Sequence, residues 1–75
     1  MNIKKVVDAK GLACPMPIVR TKKAMDELLS GDILEVRTTD KGSKADLTAW
    51  TKSTGNQLIE AKEENGVFIF LIQKG

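Results

Sequence analysis

Histidine is absent from the 75-residue chain, and Cys14 is its single cysteine. Without histidine there can be no Cys-His or Ser-His-Asp catalytic arrangement, and only one thiol and scattered carboxylates are left as metal ligands. We therefore expect no structural zinc. One cysteine can form neither an internal disulfide nor a Cys-x-x-Cys redox pair, so the fold must be stabilised by packing, as is usual in a reducing compartment.

Long apolar runs are also missing. The longest, from Val67 to Ile72, is far too short for a bilayer span, and the N-terminus lacks a signal-peptide pattern. We expect a cytoplasmic protein with no membrane segment. The 12 basic and 10 acidic residues leave a net charge of +2, a surplus too small by itself to argue for nucleic-acid binding, and we do not expect direct binding. The length allows one domain over residues 1–75.

Apolar spacing predicts the element order β-α-β-α-β-β. The predicted strands are 3–8, 33–38, 58–63 and 67–72, and the predicted helices are 17–29 and 43–53. In the first helix Ile18, Met25 and Leu29 fall on one face, and Gly31 can close its C-terminus. The pair Asn65-Gly66 favours a two-residue hairpin turn, which makes the last two strands antiparallel neighbours.

The second strand indicates how the layers are arranged. Leu34, Val36 and Thr38 alternate with Glu35 and Arg37, so one face of the sheet should be covered and the other more polar. Both helices should lie on the covered face, with the apolar last strand inside the sheet. This predicts a two-layer α/β (α+β) sandwich with a four-stranded sheet.

The second helix carries a candidate cap and a candidate aromatic contact. Ser43 stands three residues before Asp46, which approximates a capping box. Trp50 shares the inner face with Leu47, so packing in the core is favoured over a role as a stacking platform.

The segment from Gly11 to Pro17 places the thiol of Cys14 between a strand and a helix. A helix N-terminus offers unpaired N–H groups and the positive end of the peptide dipoles, which stabilise a thiolate. Candidate donors to the sulfur are the amides of Met16 and Ile18. Pro15 and Pro17 stiffen the approach and disfavour helical angles in the residues before them, so the helix should begin at Pro17.

Two interpretations of Cys14 follow from these residues alone. A lone cysteine is often a small buried hydrophobe. A position just ahead of the helix, bracketed by prolines, instead favours an exposed and reactive thiol. The residues by themselves leave the two about equally supported.

Other polar residues near this segment have alternatives of their own. Arg20, Lys22 and Lys23 form a basic start to the first helix that could dock an acidic partner, although Lys22 and Lys23 are also spaced for surface ion pairs with carboxylates four residues on. Met16 could contact a partner or fill a gap. Asp8 and Asp40 are predicted to cap turns.

The pattern Gly-Leu-x-Cys-Pro-x-Pro after a first strand closely resembles the signature of the TusA, or SirA-like, family of small sulfur-carrier proteins. The resemblance extends nearly end to end. Further counterparts of the family pattern are Asp8, Gly31-Asp32, Asp40, Asp46, Gly55 and Lys74.

The resemblance implies a mixed four-stranded sheet and a sulfurtransferase that acts as a carrier more than as a catalyst. Cys14 would attack the outer sulfur of a persulfide donor, such as a cysteine desulfurase or a rhodanese-like protein, and become a persulfide. A thiol on an acceptor protein would then take the sulfur. Gly11, Pro15, Met16, Pro17 and Ile18 would support the site, with no cofactor.

Alternatives to sulfur transfer remain open at this stage. An RNA-binding or regulatory module could use the open sheet face of the same fold. Thiol-disulfide exchange at Cys14 would need a partner thiol in each cycle, because the chain has no resolving cysteine. Asp40-Lys41 and Asp46-Leu47 depart from the Asp-Pro and Asp-Ile-Pro that are usual in the family, which leaves the sulfur acceptor open.

Overall fold

A computed structural model describes residues 3–13 and 16–75. The elements are β1 (Ile3–Ala9), α1 (Met16–Met25), β2 (Ile33–Thr38), α2 (Ser43–Thr54), β3 (Gln57–Glu64) and β4 (Val67–Gln73). This is the predicted order, and the bounds of β2 are those expected from its alternation. Among these residues, no helix is long and apolar enough to cross a membrane.

The four strands form one mixed sheet in the order β1-β2-β4-β3. β1 and β2 are parallel, whereas β4 runs antiparallel to both β2 and β3. The last strand therefore lies inside the sheet, as its apolar sequence predicted. Because β1 and β2 are parallel, their C-terminal ends at Ala9 and Thr38 meet at the same edge.

Both helices pack on one face of the sheet and contact each other, which confirms the two-layer architecture. The predicted inward residues Leu34, Val36 and Thr38 are completely buried. Leu47 of α2 is also fully buried, and Trp50 is a partly buried neighbour of the same core. The expected packing role of Trp50 is confirmed.

α1 differs from its predicted span of 17–29, since it begins at Met16 and ends at Met25. Beyond Met25 the chain tightens: the amide of Leu28 donates to the carbonyl oxygen of Met25, three residues back, at 3.0 Å. This tighter turn brings Leu28 into the core, where it is 6% exposed, and leaves Leu29 77% exposed. The prediction that Leu29 faces inward was wrong, because the inward residue is its neighbour Leu28.

The capping box predicted for α2 is not formed. Gly42 occupies the N-cap position, and no side chain caps the helix there. Ser43 is instead buried, with its hydroxyl 3.0 Å from the hydroxyl of Thr38. A buried hydroxyl needs a hydrogen-bond partner, and Thr38 of β2 supplies it. The spacing between Ser43 and Asp46 in the sequence gives no sign of this contact.

The β3–β4 turn follows the hairpin prediction. Asn65 and Gly66 have φ values of 52° and 79°, and positive φ at both central residues defines a type I′ turn. This turn fixes the pairing of the two strands, which begins with Glu64 opposite Val67.

Candidate functional site

The candidate site lies where β1 leads into α1. Cys14 and Pro15, the predicted nucleophile and one of its supporting residues, lie outside the described residues. The residues on either side are described. The amide of Leu12 donates to the carbonyl oxygen of Ala9 at 3.2 Å. The amide of Met16 donates to the carbonyl oxygen of Ala13 at 2.9 Å. Hydrogen bonds thus order the chain both before and after the cysteine.

Gly11 begins the approach to the cysteine with a φ of +80°, a backbone conformation in which glycine avoids the Cβ penalty. Its amide donates a hydrogen bond to the hydroxyl of Thr39, at 2.9 Å. Thr39 directly follows β2, so this contact ties the loop after β1 to the loop after β2. It is a supporting contact that the sequence pattern did not reveal.

The first turn of α1 divides into a buried side and an exposed side. Pro17 is buried, and its carbonyl oxygen accepts a hydrogen bond from the buried Thr21 hydroxyl at 2.7 Å. Ile18 is partly buried against the core. Met16 and Val19 are 40% and 48% exposed, and their three-residue spacing places them on the same face of the helix. An apolar surface therefore directly follows the cysteine segment.

The backbone amide of Met16 was predicted as a possible donor to the cysteine sulfur. In the structure this N–H donates to the carbonyl oxygen of Ala13. Because Cys14 lies outside the described residues, a contact between this amide and the sulfur stays a prediction.

The basic residues at the start of α1 are exposed, but one predicted ion pair is replaced by another. Arg20, Lys22 and Lys23 all face solvent. Glu27, the expected partner of Lys23, forms its ion pair with Lys5 of β1. Hydrogen bonding and charge attraction from Lys5 lower the pKa of Glu27, with a further contribution from the charge of Lys23. The three cations next to the site therefore form no ion pair among the described residues.

The two aspartates of the neighbouring loops act as turn caps, as predicted. A carboxylate oxygen of Asp8 accepts from the amide of Lys10 at 3.1 Å, and one of Asp40 accepts from the amide of Gly42 at 3.3 Å. Both interactions span two residues, the usual pattern of an aspartate turn.

Metal binding and base stacking find no support in the part of the chain that the structure covers. Residues 3–13 and 16–75 contain no group of three or more His, Cys, Asp or Glu side chains placed to hold a metal ion. The aromatic residues of the chain, Trp50, Phe68 and Phe70, all pack in or against the core. They are therefore not available as base-stacking platforms on the open sheet face.

Known proteins are similar to this chain in sequence and fold. The family model described as Sulfurtransferase TusA matches residues 5–74. Over the full length of both chains, the sequence is 67% identical to YrkI of Bacillus subtilis (strain 168), whose name describes it as a candidate sulfur carrier protein. It is also 53% identical to the sulfur carrier protein TusA of Allochromatium vinosum, with 91% of this chain and 90% of that protein covered.

A solved structure extends the similarity to the fold. The crystal structure of a SirA-like protein from Desulfitobacterium hafniense superimposes with a TM-score of 0.84 at 33% sequence identity, and covers 95% of this chain and 97% of that one. The match of the family model to nearly the whole sequence, together with these relatives, identifies the chain as a member of the TusA family of sulfurtransferases.

Proposed function

We propose that this protein carries sulfur as a persulfide on Cys14. The observation that supports this most directly is that the only thiol in a chain of the sulfurtransferase TusA family stands between β1 and α1. Because Cys14 is the only cysteine, any persulfide that the chain carries must be bound to this residue. A protein with one thiol can hold a persulfide without closing an internal disulfide.

The transfer consists of two thiolate attacks. The Cys14 thiolate attacks the outer sulfur of a donor protein's persulfide, forming a Cys14 persulfide and releasing the donor cysteine as a thiolate. An acceptor thiolate then attacks the outer sulfur of Cys14, takes it over as its own persulfide, and releases the Cys14 thiolate. No external oxidant or reductant is consumed.

The donor and the acceptor are both proteins with a reactive cysteine. A cysteine desulfurase or a rhodanese-like protein is the donor we favour, because each can present a protein-bound persulfide. The transfer requires Cys14 to be reduced, and thiols are kept reduced in the cytoplasm, which is the location we favour.

Residues of α1 would meet these partners. The exposed side chains of Met16 and Val19 offer an apolar contact next to the cysteine segment. Arg20, Lys22 and Lys23 are exposed and form no ion pair among the described residues, so they can attract an acidic surface. Apolar contact close to the thiol and charge around it would bring two cysteines together briefly without a large permanent interface.

Gly11, Pro17 and Ile18 have supporting roles in this proposal. Gly11 is tied to Thr39, Pro17 is buried, and Ile18 packs against the core, so each anchors one side of the cysteine segment. An anchored segment lowers the entropic cost of presenting a reacting atom to a partner.

Incubation with a cysteine desulfurase and cysteine tests the proposal through intact mass. We expect the wild-type protein to gain one sulfur, about 32 Da, and to lose it on treatment with a reductant such as dithiothreitol. The Cys14→Ser variant should retain the circular dichroism spectrum of the wild type and gain no mass. Absence of the adduct from folded wild-type protein, with both a desulfurase and a rhodanese as donors, would refute the proposal.

A charge-reversal pair tests the docking residues separately. Lys22→Glu/Lys23→Glu should slow sulfur uptake from the desulfurase by about tenfold at low salt, and less at high salt. The matched control Lys4→Glu/Lys10→Glu changes the net charge equally at exposed positions outside α1. If both pairs slow uptake to the same degree, overall charge governs the rate and α1 has no special role in docking.

A further inference from the structure

The outward face of α2 has a composition that the sulfur chemistry does not explain. Three exposed lysines border a floor of small side chains, and together they line a broad, open depression of about 600 Å³. We call this the α2 lysine face; it consists of Lys41, Lys44, Ala45, Thr48, Ala49 and Lys52.

The lysines of this face are not engaged by carboxylates. The ion pairs among the described residues use Lys5, Arg37 and Lys62 and none of the lysines of the α2 lysine face. A glutamate four residues before Lys52 could form an ion pair with it along the helix, but Thr48 occupies that position. No acidic side chain is among those that line the depression. The positive charge of this face is therefore available to an outside partner.

The floor of the face allows a close approach. Ala45 and Ala49 are exposed, one helical turn apart. The hydroxyl of Thr48 donates to the carbonyl oxygen of Lys44 at 2.6 Å, so its hydrogen-bonding need is met within the helix. Small side chains let the backbone of a second helix come near, as they do in close helix pairs.

The spacing of the lysines indicates which partner could bind the α2 lysine face. Lys44 and Lys52 are eight residues apart, which corresponds to about 12 Å along the helix axis. Two carboxylates separated by two turns of a partner helix match that distance. Between them the partner would need alanine-like side chains to rest on Ala45 and Ala49.

We infer that the α2 lysine face is a docking site for an acidic α-helical segment of a partner protein. A nucleic acid would use the lysines but not the small apolar floor, and the face has no arginine or aromatic side chain for base contacts. The α2 lysine face shares no residue with α1, so it adds a second contact area to those proposed there.

The test uses a defined probe, an end-capped alanine-rich helical peptide of about 20 residues with two glutamates two turns apart on one face. Binding is followed by amide chemical shifts of the ¹⁵N-labelled Cys14→Ser protein at low salt. Because this variant lacks the thiol, the outcome does not depend on the proposed sulfur transfer. We expect the largest shifts at the amides of Ala45, Ala49 and Lys52.

Two variants distinguish charge from shape. Lys44→Gln/Lys52→Gln should weaken binding by about fivefold, the effect expected for two exposed ion pairs. Ala49→Gln keeps every charge but covers the floor with a longer side chain, and should weaken binding to a similar degree. Lys4→Gln/Lys10→Gln lowers the net charge equally and should bind the peptide as the parent does.

Several results would overturn the inference. They are shifts that map away from α2, equal affinity for a matched peptide with glutamines in place of glutamates, and unchanged binding by the Lys44→Gln/Lys52→Gln protein. A single-stranded oligonucleotide that binds this face more tightly than the glutamate peptide would assign the face to nucleic acid instead.

Discussion

The ammonium group of Lys74 donates a hydrogen bond to the carbonyl oxygen of Leu28 at 2.6 Å, across 46 residues of sequence. The same group donates to the carbonyl oxygen of Met25 at 3.0 Å. Met25 is the last residue of α1, so the side chain of Lys74 caps the C-terminal end of the helix that follows the cysteine segment. A cation is favourable there because the last carbonyls of a helix carry the negative end of its dipole.

Removing this ammonium group should destabilise the fold. We expect Lys74→Met to lower the free energy of unfolding by about 1–3 kcal/mol, the range for losing hydrogen bonds from a charged donor to partly buried acceptors. Urea unfolding monitored by circular dichroism measures the change. Lys52→Met, at an exposed position of α2, is the control and should be nearly neutral. Equal stability of the two variants would mean that the cap contributes nothing.

This long-range cap also explains why the end of α1 could not be predicted. Leu28 and Leu29 are both apolar, so hydrophobic spacing alone cannot tell which of them faces the core. The choice depends on the tightening after Met25 and on Lys74, which is distant in sequence. For β2, by contrast, the bounds and the inward residues Leu34, Val36 and Thr38 could be predicted because the alternation is local. The prediction of a polar, uncovered opposite face was wrong at Glu35, which is also buried.

In the candidate site, too, features set by neighbouring residues could be predicted and contacts between distant residues could not. The position of Cys14 between a strand and a helix follows from the order of elements, and the turn-capping roles of Asp8 and Asp40 follow from contacts two residues apart. The link between Gly11 and Thr39 joins residues 28 positions apart, and no local pattern indicates it. Ser43 was misassigned as a cap because its partner, Thr38, belongs to another element.

The type I′ turn gives a second stability prediction. At Gly66, with a φ of 79°, Gly66→Ala should cost about 1 kcal/mol because a Cβ disfavours left-handed backbone angles. Thermal unfolding would report this as a lower midpoint. Asn65→Gly keeps a residue that accepts positive φ and should change stability little. A Gly66→Ala protein as stable as the wild type would argue against the left-handed conformation.

The ion pair between Lys5 and Glu27 predicts a pH effect. Lys5 lowers the pKa of Glu27 in the folded protein, so the pair contributes stability above the ordinary glutamate pKa of about 4.3. That contribution should disappear as the pH falls through the lowered pKa. The stability difference between wild type and Glu27→Gln should therefore be present at neutral pH and vanish in acid, as measured by urea unfolding at a series of pH values. It should also shrink with added salt.

Glu60→Gln is the control for this pH effect, since Glu60 is exposed on β3 and forms no ion pair among the described residues. Its stability difference from wild type should be small at every pH. If Glu27→Gln followed the same flat profile, the pair with Lys5 would have no net effect in solution.

The hydrogen bond from Gly11 to Thr39 predicts local effects on the cysteine segment. Thr39→Val replaces the accepting hydroxyl with a methyl group of similar shape, so the amide of Gly11 loses its partner. A net hydrogen bond of about 0.5–1.5 kcal/mol corresponds to an increase of roughly twofold to tenfold in amide exchange at Gly11. Thr39→Ser keeps the hydroxyl and should restore protection.

The same variants test whether this contact matters for the thiol. If the Gly11 contact positions Cys14, Thr39→Val should slow sulfur uptake from a desulfurase, while Thr39→Ser should react at nearly the wild-type rate. Alkylation by iodoacetamide, a small reagent that needs no docking, should change less than uptake from the protein donor, because presentation to a large partner requires a fixed geometry. Increased exchange at Gly11 with unchanged uptake would limit the role of Thr39 to local stability.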